Sequence, residues 1–355
     1  MTAHSRILIF HTAFVGDIVL TLPVVQVMRD AWPDAHIVFV AIPAAAAVLR
    51  NHPSIDDVIE YDKRGVDRGP GGFVRLVRSL SALQCQVALV PHRSLRSALA
   101  VWCARIPRRI GFSQSAGKAL FTDVVPYNPG AHETERNLAL LDPLGIRVRD
   151  RVLPRLYPDG GDVRSVDALL RDFRVRRGKD ALRPTVALAP GSVWFTKRWP
   201  EEHFLTVARA LLQDDMQVVL VGGADDAALC ARIAEGCGEG AAVLNAAGRL
   251  SLLQSAELLR RCALLVSNDS APMHLAGAVG TPVFALFGAT VPSFGFAPLG
   301  PRDRVFEIQG LACRPCGIHG GQKCPIGTFV CMRDLTPASL LAPIREFLSQ
   351  HRVEN

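Results

Sequence analysis

A chain of 355 residues exceeds one small domain and suits two of ordinary size. Hydrophobic residues at 49% suffice for two cores, and charged residues at 21% exclude a globally disordered chain. The formal charge of +7 suits phosphates or anionic lipid heads, while 6% aromatics, with no run alternating with Lys or Arg, argue against a nucleic-acid groove.

The chain opens with Arg6–Phe10, a short apolar run with branched residues that predicts a strand. A loop and a helix over Ile18–Trp32 follow. His11, Gly16, Asp17 and Pro23 interrupt this stretch, so it is not read as a leader or a membrane span. No later stretch offers the roughly 18 uninterrupted apolar residues of a membrane helix. A cytoplasmic protein is expected, resting peripherally on the inner face of a membrane.

Further strands are predicted at His36–Ala41, Asp57–Tyr61, Gln86–Val90 and Arg108–Gly111, with helical patterns between them. Arg147–Gly161, with two prolines, a Gly pair and several charges, reads as a linker. The rhythm then restarts with strands at Pro184–Ala189, Gln217–Val221, Ala242–Asn245, Ala263–Ser267 and Pro282–Phe287. Helices begin near Glu201, Ala224, Leu252 and Ala271, and Thr336–Gln350 is a final amphipathic helix. Apolar strands alternating with helices imply parallel sheets covered on both faces. The expected class is α/β, with two Rossmann-like domains facing a central cleft. Their expected spans are 1–155 and 156–335, with 336–355 packing back on the first domain.

In such sheets ligands bind beyond the C-terminal strand ends. The first loop, His11–Asp17, lacks GxGxxG, and the second strand ends without an acidic residue to hold a ribose, so NAD binding is not expected. In that loop Gly16 permits close backbone approach, and Asp17 is read two ways, as a helix N-cap or as a carboxylate aimed at a ligand. The loop after the first strand of the second half runs Pro190-Gly191-Ser192 to Thr196-Lys197-Arg198-Trp199-Pro200. Backbone N–H groups, the Ser192 hydroxyl and two cations on one loop suit a diphosphate, although a solvated Lys-Arg pair before a helix explains them equally well. Ser267-Asn268-Asp269-Ser270-Ala271-Pro272-Met273-His274 places three polar residues at a strand end and a histidine one turn into a helix. Asp269 or Ser270 could simply cap that helix, while the added His274 favours a ligand site.

Cys85, Cys103, Cys230, Cys237 and Cys262 lie in apolar segments and read as ordinary thiols. Cys313, Cys316, Cys324 and Cys331 cluster in a Gly/Pro-rich stretch. Disulfides do not suit a cytoplasmic chain, and the spacing fits a four-thiolate structural zinc or other metal staple, though not the commonest ribbon gaps. A metal there would leave no open coordination position for catalysis.

Taken together, these motifs resemble the ADP-heptose:lipopolysaccharide heptosyltransferase family (glycosyltransferase family 9), in particular its type II branch. The stretches that carry the resemblance are Val15-Gly16-Asp17, APGSVWFTKRWPEEHF (189–204), QVVLVGG (217–223), AAGRLSLLQSAELL (246–259) and SNDSAPMHLAGAVGTPVFALFG (267–288). Weaker similarity runs through 96–112 and the rest of the first half. The resemblance implies a GT-B fold with the acceptor mainly on the first domain and the ADP-sugar on the second. It further implies inverting, metal-independent transfer of heptose from ADP-L-glycero-D-manno-heptose to the lipopolysaccharide inner core, with no catalytic cofactor and no nucleic-acid partner. Asp17 corresponds to the catalytic base, and Ser192 and Lys197, with Arg198 beside them, to diphosphate ligands. Asp269, Ser270, Ala271 and His274 correspond to the nucleotide-sugar loop, and Leu250 to an apolar contact near adenine. Acceptor candidates are Arg93, Arg96 and Lys118, with Arg105, Arg108 and Arg109 nearby. The sequence departs from some relatives at Ser192 and at Ala271-Pro272. Two other readings stand beside this one: a GT-B transferase with a different sugar or acceptor, and a non-catalytic binding module stapled by metal at the four cysteines.

Overall fold

In the computed structural model, residues 6–175 and 184–351 are described. They form two compact units, Met1–Tyr157 and Pro158–Asn355, which meet inside the Pro- and Gly-rich stretch read as a linker.

In the first unit, β1 (Arg6–Phe10) leads into α1 (Val15–Ala31), then β2 (His36–Ala41), the short α2 (Pro43–Ala46) and β3 (Asp57–Glu60). After these come α3 (Gly69–Ala82), β4 (Val87–Val90), α4 (Leu95–Cys103), β5 (Arg108–Phe112), β6 (Asp123–Val125) and α5 (Glu133–Ala139). The six strands are parallel, in the order β3-β2-β1-β4-β5-β6. Ile7 to Phe10 and Val87 to Val90 are all buried, as strands covered on both faces must be. Leu8, Phe10, Val38, Val40, Ala88 and Val90 join Leu76, Leu80 and Val101 of α3 and α4 in one core.

The second unit opens with α6 (Gly160–Val175), which begins at the end of the stretch read as a linker, Arg147–Gly161, and runs on where the sequence reading assigned no element. The Asp159 carboxylate accepts the N–H groups of Gly161 at 2.7 Å and Asp162 at 2.9 Å, so an N-terminal cap starts this helix despite its Gly pair. It continues with β7 (Thr185–Ala189), α7 (Glu201–Gln213), β8 (Gln217–Leu220), α8 (Ala227–Gly236), β9 (Val243–Asn245) and α9 (Leu252–Arg260). The remaining elements are β10 (Leu264–Asn268), α10 (Ala271–Ala278), β11 (Val283–Phe287), β12 (Arg304–Glu307), α11 (Val330–Arg333) and α12 (Pro337–His351). The sheet runs β12-β11-β10-β7-β8-β9, again all parallel. Renumbered from its own first strand, this is the first unit's order repeated: two Rossmann-like sheets, as expected. Leu340, Ile344, Phe347 and Leu348 of α12 lie in the core of this second unit, alongside Phe204 and Leu211 of α7.

In a sheet of this order the direction of strand succession reverses between the first and fourth strands, opening a crevice beyond their C-terminal ends. Here the reversals fall between β1 and β4 and between β7 and β10. The loops that leave these strands carry His11–Asp17, His92–Arg93, Gly191–Lys197 and Asp269–His274. No helix among the described residues is long and apolar enough to cross a membrane.

Three histidines of the first unit are held uncharged. Burial is the main cause in each, pushing His52 and His92 down to about 4 and His11 well below its ordinary value. Their unfolded values lie near 6.5, so between that pH and about 4 the unfolded chain binds more protons than the folded one. This contribution to stability is therefore complete above pH 6.5 and shrinks as pH falls. The melting temperature should hold from pH 7.5 to about pH 6.5 and then drop towards pH 5, with a shallower drop for His52→Asn. Equal slopes for the two proteins would contradict the assignment.

Candidate active site

In the second unit, two motifs separated in sequence meet at the reversal point. The Lys197 ammonium lies 2.7 Å from the Asp269 carboxylate, with the two side chains only 13% and 8% exposed. Asp269 also accepts the Thr290 hydroxyl at 2.7 Å. Asn268, fully buried at the end of β10, accepts the Trp199 N–H at 3.0 Å and donates to the Pro190 carbonyl at 2.8 Å. It thus ties both ends of the Pro190–Trp199 loop to the strand that presents Asp269. Arg198 donates to the Ser192 carbonyl at 2.7 Å, so its guanidinium braces the loop from within. Ser192 is buried.

Gly191 is required by space. A Cβ there would come within 2.0 Å of the Asp226 carboxylate, which accepts the Gly223 N–H at 3.0 Å. The cap readings of the third motif resolve in part. Ser270 occupies the N-cap position of α10 but makes no side-chain cap bond, its hydroxyl donating instead to the Asn268 carbonyl at 3.3 Å. Pro272 lies in the first turn, where a missing N–H costs nothing. Ala271 begins the helix, and His274 is buried one turn in. Leu250 is half-buried immediately before Ser251, the N-cap of α9.

In the first unit, Asp17 is not the N-cap of α1. That position belongs to Phe14, and Asp17 sits in the first turn with Gly16 before it. Its carbonyl accepts the Thr21 hydroxyl at 2.8 Å. Thr21 in turn hydrogen-bonds His11 at 2.8 Å and Asn137 of α5 at 3.2 Å. One turn before Asn137 lies Glu133, buried and paired with Arg136 at 3.0 Å. Burial raises the Glu133 carboxyl; Arg136 and Arg93 oppose the rise, and the Asp17 charge adds to it. Two carboxylates thus lie near each other where α1 meets α5. The sequence reading missed Glu133, although its spacing with Arg136 and Asn137 on one helical face was visible.

The arginines proposed for an anionic acceptor separate into two groups. Arg93 is exposed, over the Tyr127 ring, with Gln114 accepting at 3.2 Å. Lys118 is exposed in a short turn. Arg96, by contrast, donates to the Tyr61 hydroxyl at 2.6 Å and to the Asp67 and Gly69 carbonyls, stapling the segment after β3. Arg108 pairs with Asp123 at 3.0 Å, and Arg109 donates to the Leu120 and Ile106 carbonyls. A cation the sequence did not single out also stands at the reversal point: Lys63 donates to the Thr12 carbonyl at 2.6 Å and to its hydroxyl at 3.1 Å. Thr12 in turn contacts His92 at 3.4 Å. Burial first, then Arg64 and Arg96, lowers the Lys63 ammonium from its ordinary value.

The expectation of a metal staple is corrected. Cys313, Cys316, Cys324 and Cys331 are free thiols, and no group of three or more His, Cys, Asp or Glu among the described residues is placed to hold a metal ion. Cys331 is buried, with its thiol pushed up to about 11 by burial, and the Cys324 sulfur accepts the Phe329 N–H at 3.4 Å. Cys331 lies in the core, and the Cys316 thiol donates to the Cys313 carbonyl at 3.3 Å.

Comparison with known proteins points to one family. The sequence profile of glycosyltransferase family 9 (heptosyltransferase) matches residues 73–320. The chain is 32% identical to lipopolysaccharide heptosyltransferase 3 of Escherichia coli K12, over 78% of this chain and 80% of that protein. It is 28% identical to lipopolysaccharide heptosyltransferase 2 of Salmonella typhimurium, over 98% of this chain and all of that one. The solved structure of E. coli ADP-heptose lipopolysaccharide heptosyltransferase II superposes with a TM-score of 0.80 at 26% identity, covering 98% of this chain and 99% of that one.

Asn268 gives a test of the loop architecture. Asn268→Ala would leave the buried Trp199 N–H and Pro190 carbonyl without partners, at about 1–3 kcal/mol for each. Urea unfolding should show a loss of that order, whereas a loss below about 0.5 kcal/mol would mean that the loop holds itself.

Proposed function

The chain belongs to glycosyltransferase family 9, the heptosyltransferases, and from that premise we propose how its residues divide the work. It acts in lipopolysaccharide assembly, moving heptose from ADP-L-glycero-D-manno-heptose to the inner core, as a heptosyltransferase II-like enzyme. The observation that carries the assignment of roles is the ion pair of Lys197 with Asp269 at the second reversal point.

Breaking the sugar–diphosphate bond builds negative charge on the departing ADP and positive charge on the anomeric carbon. Lys197 sits where a diphosphate would meet the start of α10, and it already has a compensating carboxylate in Asp269. An arriving diphosphate shares the ammonium with Asp269, supported by the Ser192 hydroxyl and the Ser270–Ala271 backbone. Donors preset at a developing charge act without reorganising during the reaction, and removing one typically costs about 10²–10³ in rate. This reading needs no metal, because Lys197 and the helix start supply the positive charge. Arg198 holds the loop, and Leu250 and His274 line the nucleotide-sugar side.

Asp17, on the first unit, takes the proton of the attacking acceptor hydroxyl, an effect worth roughly 10²–10⁴. Lys63, Arg93 and Lys118 provide positive charge for an anionic lipid core. Arg96 belongs to the scaffold that presents them. A lipid acceptor places the enzyme peripherally at the cytoplasmic face of the inner membrane. If the sugar differs from heptose, the same residues serve another diphosphate donor. A larger thermal shift with UDP than with ADP would favour that reading.

Asp17→Asn should keep ADP-heptose affinity within about threefold and lose at least about 10² in turnover. Turnover near that of the parent would refute the base. Lys197→Ala should weaken ADP binding by about tenfold or more in calorimetry. It leaves Asp269 unbalanced beside the phosphates, so Lys197→Ala combined with Asp269→Ala should bind ADP better than Lys197→Ala alone. If the two proteins bind alike, the ion pair has no part in diphosphate recognition.

A further inference from the structure

The cysteine-bearing stretch is not accounted for by the reaction, yet it is anchored firmly. The guanidinium of Arg314, 5% exposed, pairs with Glu307 at 2.8 Å and donates to the carbonyls of Ile308, Phe287 and Thr290. The Cys316 N–H donates to the Ala289 carbonyl at 2.9 Å. At the other end Phe329, Cys331 and Met332 are buried in the core of the second unit. Between these anchors the chain passes over the Lys197 loop. The Thr196 N–H donates to the Gly321 carbonyl at 3.0 Å, and the Gly321 N–H donates to the Thr196 hydroxyl at 2.8 Å. Gln322 donates to the Val193 carbonyl at 3.0 Å. His319 stacks on Trp194 and Phe329 on Phe195. Gly320 has φ +80°, and a Cβ there would stand 2.9 Å from the Thr196 hydroxyl and 3.3 Å from the Lys197 side chain.

These contacts bear on both partners of the ion pair. Lys197 is reached through Thr196 and the Gly320-Gly321 turn. Asp269 is reached through Thr290, whose hydroxyl donates to it and whose carbonyl accepts Arg314. We infer that the segment from Arg314 to Gln322 is a positioning clasp for donor binding, in which Gly320, Gly321 and Arg314 fix the Lys197 loop and the Thr290 loop relative to each other. This rests on the assignment of Lys197 to the diphosphate. Exposed loop backbone holding a catalytic lysine is mobile unless something ties it, and a lysine displaced by about 1 Å can lose 10²-fold in rate. The Gly-Gly pair supplies close approach and the positive φ that a side chain would oppose.

The test compares substitutions at residues other than Lys197 and Asp269; Thr196→Val leaves both side chains untouched, whereas the Cβ of Gly320→Ala would meet the Lys197 side chain. Thr196→Val keeps the volume and removes the hydroxyl that accepts Gly321; Thr196→Ser restores it. Gly320→Ala adds the opposing Cβ. Thr196→Val and Gly320→Ala should each raise the ADP Kd and the KM for ADP-heptose about five- to tenfold, leave the KM for the lipid acceptor unchanged, and be matched by near-parental values for Thr196→Ser. If Gly320→Ala does not fold, the exposed Gln322→Ala substitutes for it, with an expected rise of about two- to threefold. A lowered melting temperature with unchanged ADP Kd and donor KM would overturn the clasp and leave a merely structural loop. Lys197→Ala separates the two claims. If it binds ADP normally, the diphosphate assignment fails; if it binds poorly while Thr196→Val and Gly320→Ala bind normally, only the clasp fails.

Discussion

The second unit depends on one contact, the shielded ion pair of Lys197 with Asp269. Such a pair adds little net stability, because desolvating two charges offsets most of their attraction, whereas deleting either partner costs about 3–5 kcal/mol. What the pair provides is geometry. It fixes the loop after β7 against the loop after β10, with Asn268 tying the same two segments through the backbone. The consequence for binding is selective. A ligand must compete with Asp269 for the ammonium, which a single weak anion does poorly. On the proposed assignment a diphosphate, with several oxygens to meet the Ser192 hydroxyl and the start of α10 as well, can compete.

The two units repeat one strand order and differ in what they place at its reversal point. In the second, cation and carboxylate balance each other. In the first, Lys63 lies on the Thr12 backbone beside an uncharged His92, while Asp17 and Glu133 stand where α1 meets α5. The uncharged histidines hold the Thr12–Thr21 segment from both ends, His11 through Thr21 and His92 through Thr12. On the proposed assignment, the same topology carries a balanced site for a charged leaving group and a less balanced one for an anionic lipid and a proton transfer.

Most of this fold was legible because the buried strands are unbroken apolar runs. His36–Ala41 was read with its observed bounds, and the strands around Ala187, Val219 and Leu265 within a residue or two. The elements missed were those whose pattern is weak. Asp123–Val125 and Arg304–Glu307 are short edge strands with polar residues and little burial, and α6 begins with two glycines. At the site, residue types at strand ends were readable, since strand order alone fixes where such loops lead. Roles that depend on distant partners were not. Asp17 looked like a cap because local spacing cannot show that Phe14 takes that position. The four cysteines looked like a metal staple because spacing says nothing about which backbone groups meet a sulfur.

The basic residues follow the same logic. Guanidinium groups carry several N–H donors in a fixed fork and suit several carbonyls at once. Arg96, Arg109 and Arg314 each do this, and Arg198 braces the Ser192 carbonyl, so these arginines are parts of the scaffold. At each reversal point the central cation is instead a lysine, with three donors on one rotatable ammonium. Lys63 meets the two oxygens of Thr12, and Lys197 meets one carboxylate. An ammonium engaged on one side can turn remaining donors toward a ligand without dismantling a loop, which a guanidinium clamped to several carbonyls cannot. Arginine mainly in the framework, with the exposed Arg93 as the exception, and lysine at the reversal points is the division that suits the proposed role, in which the loops stay rigid while an ammonium is shared between the protein's own carboxylate and a substrate.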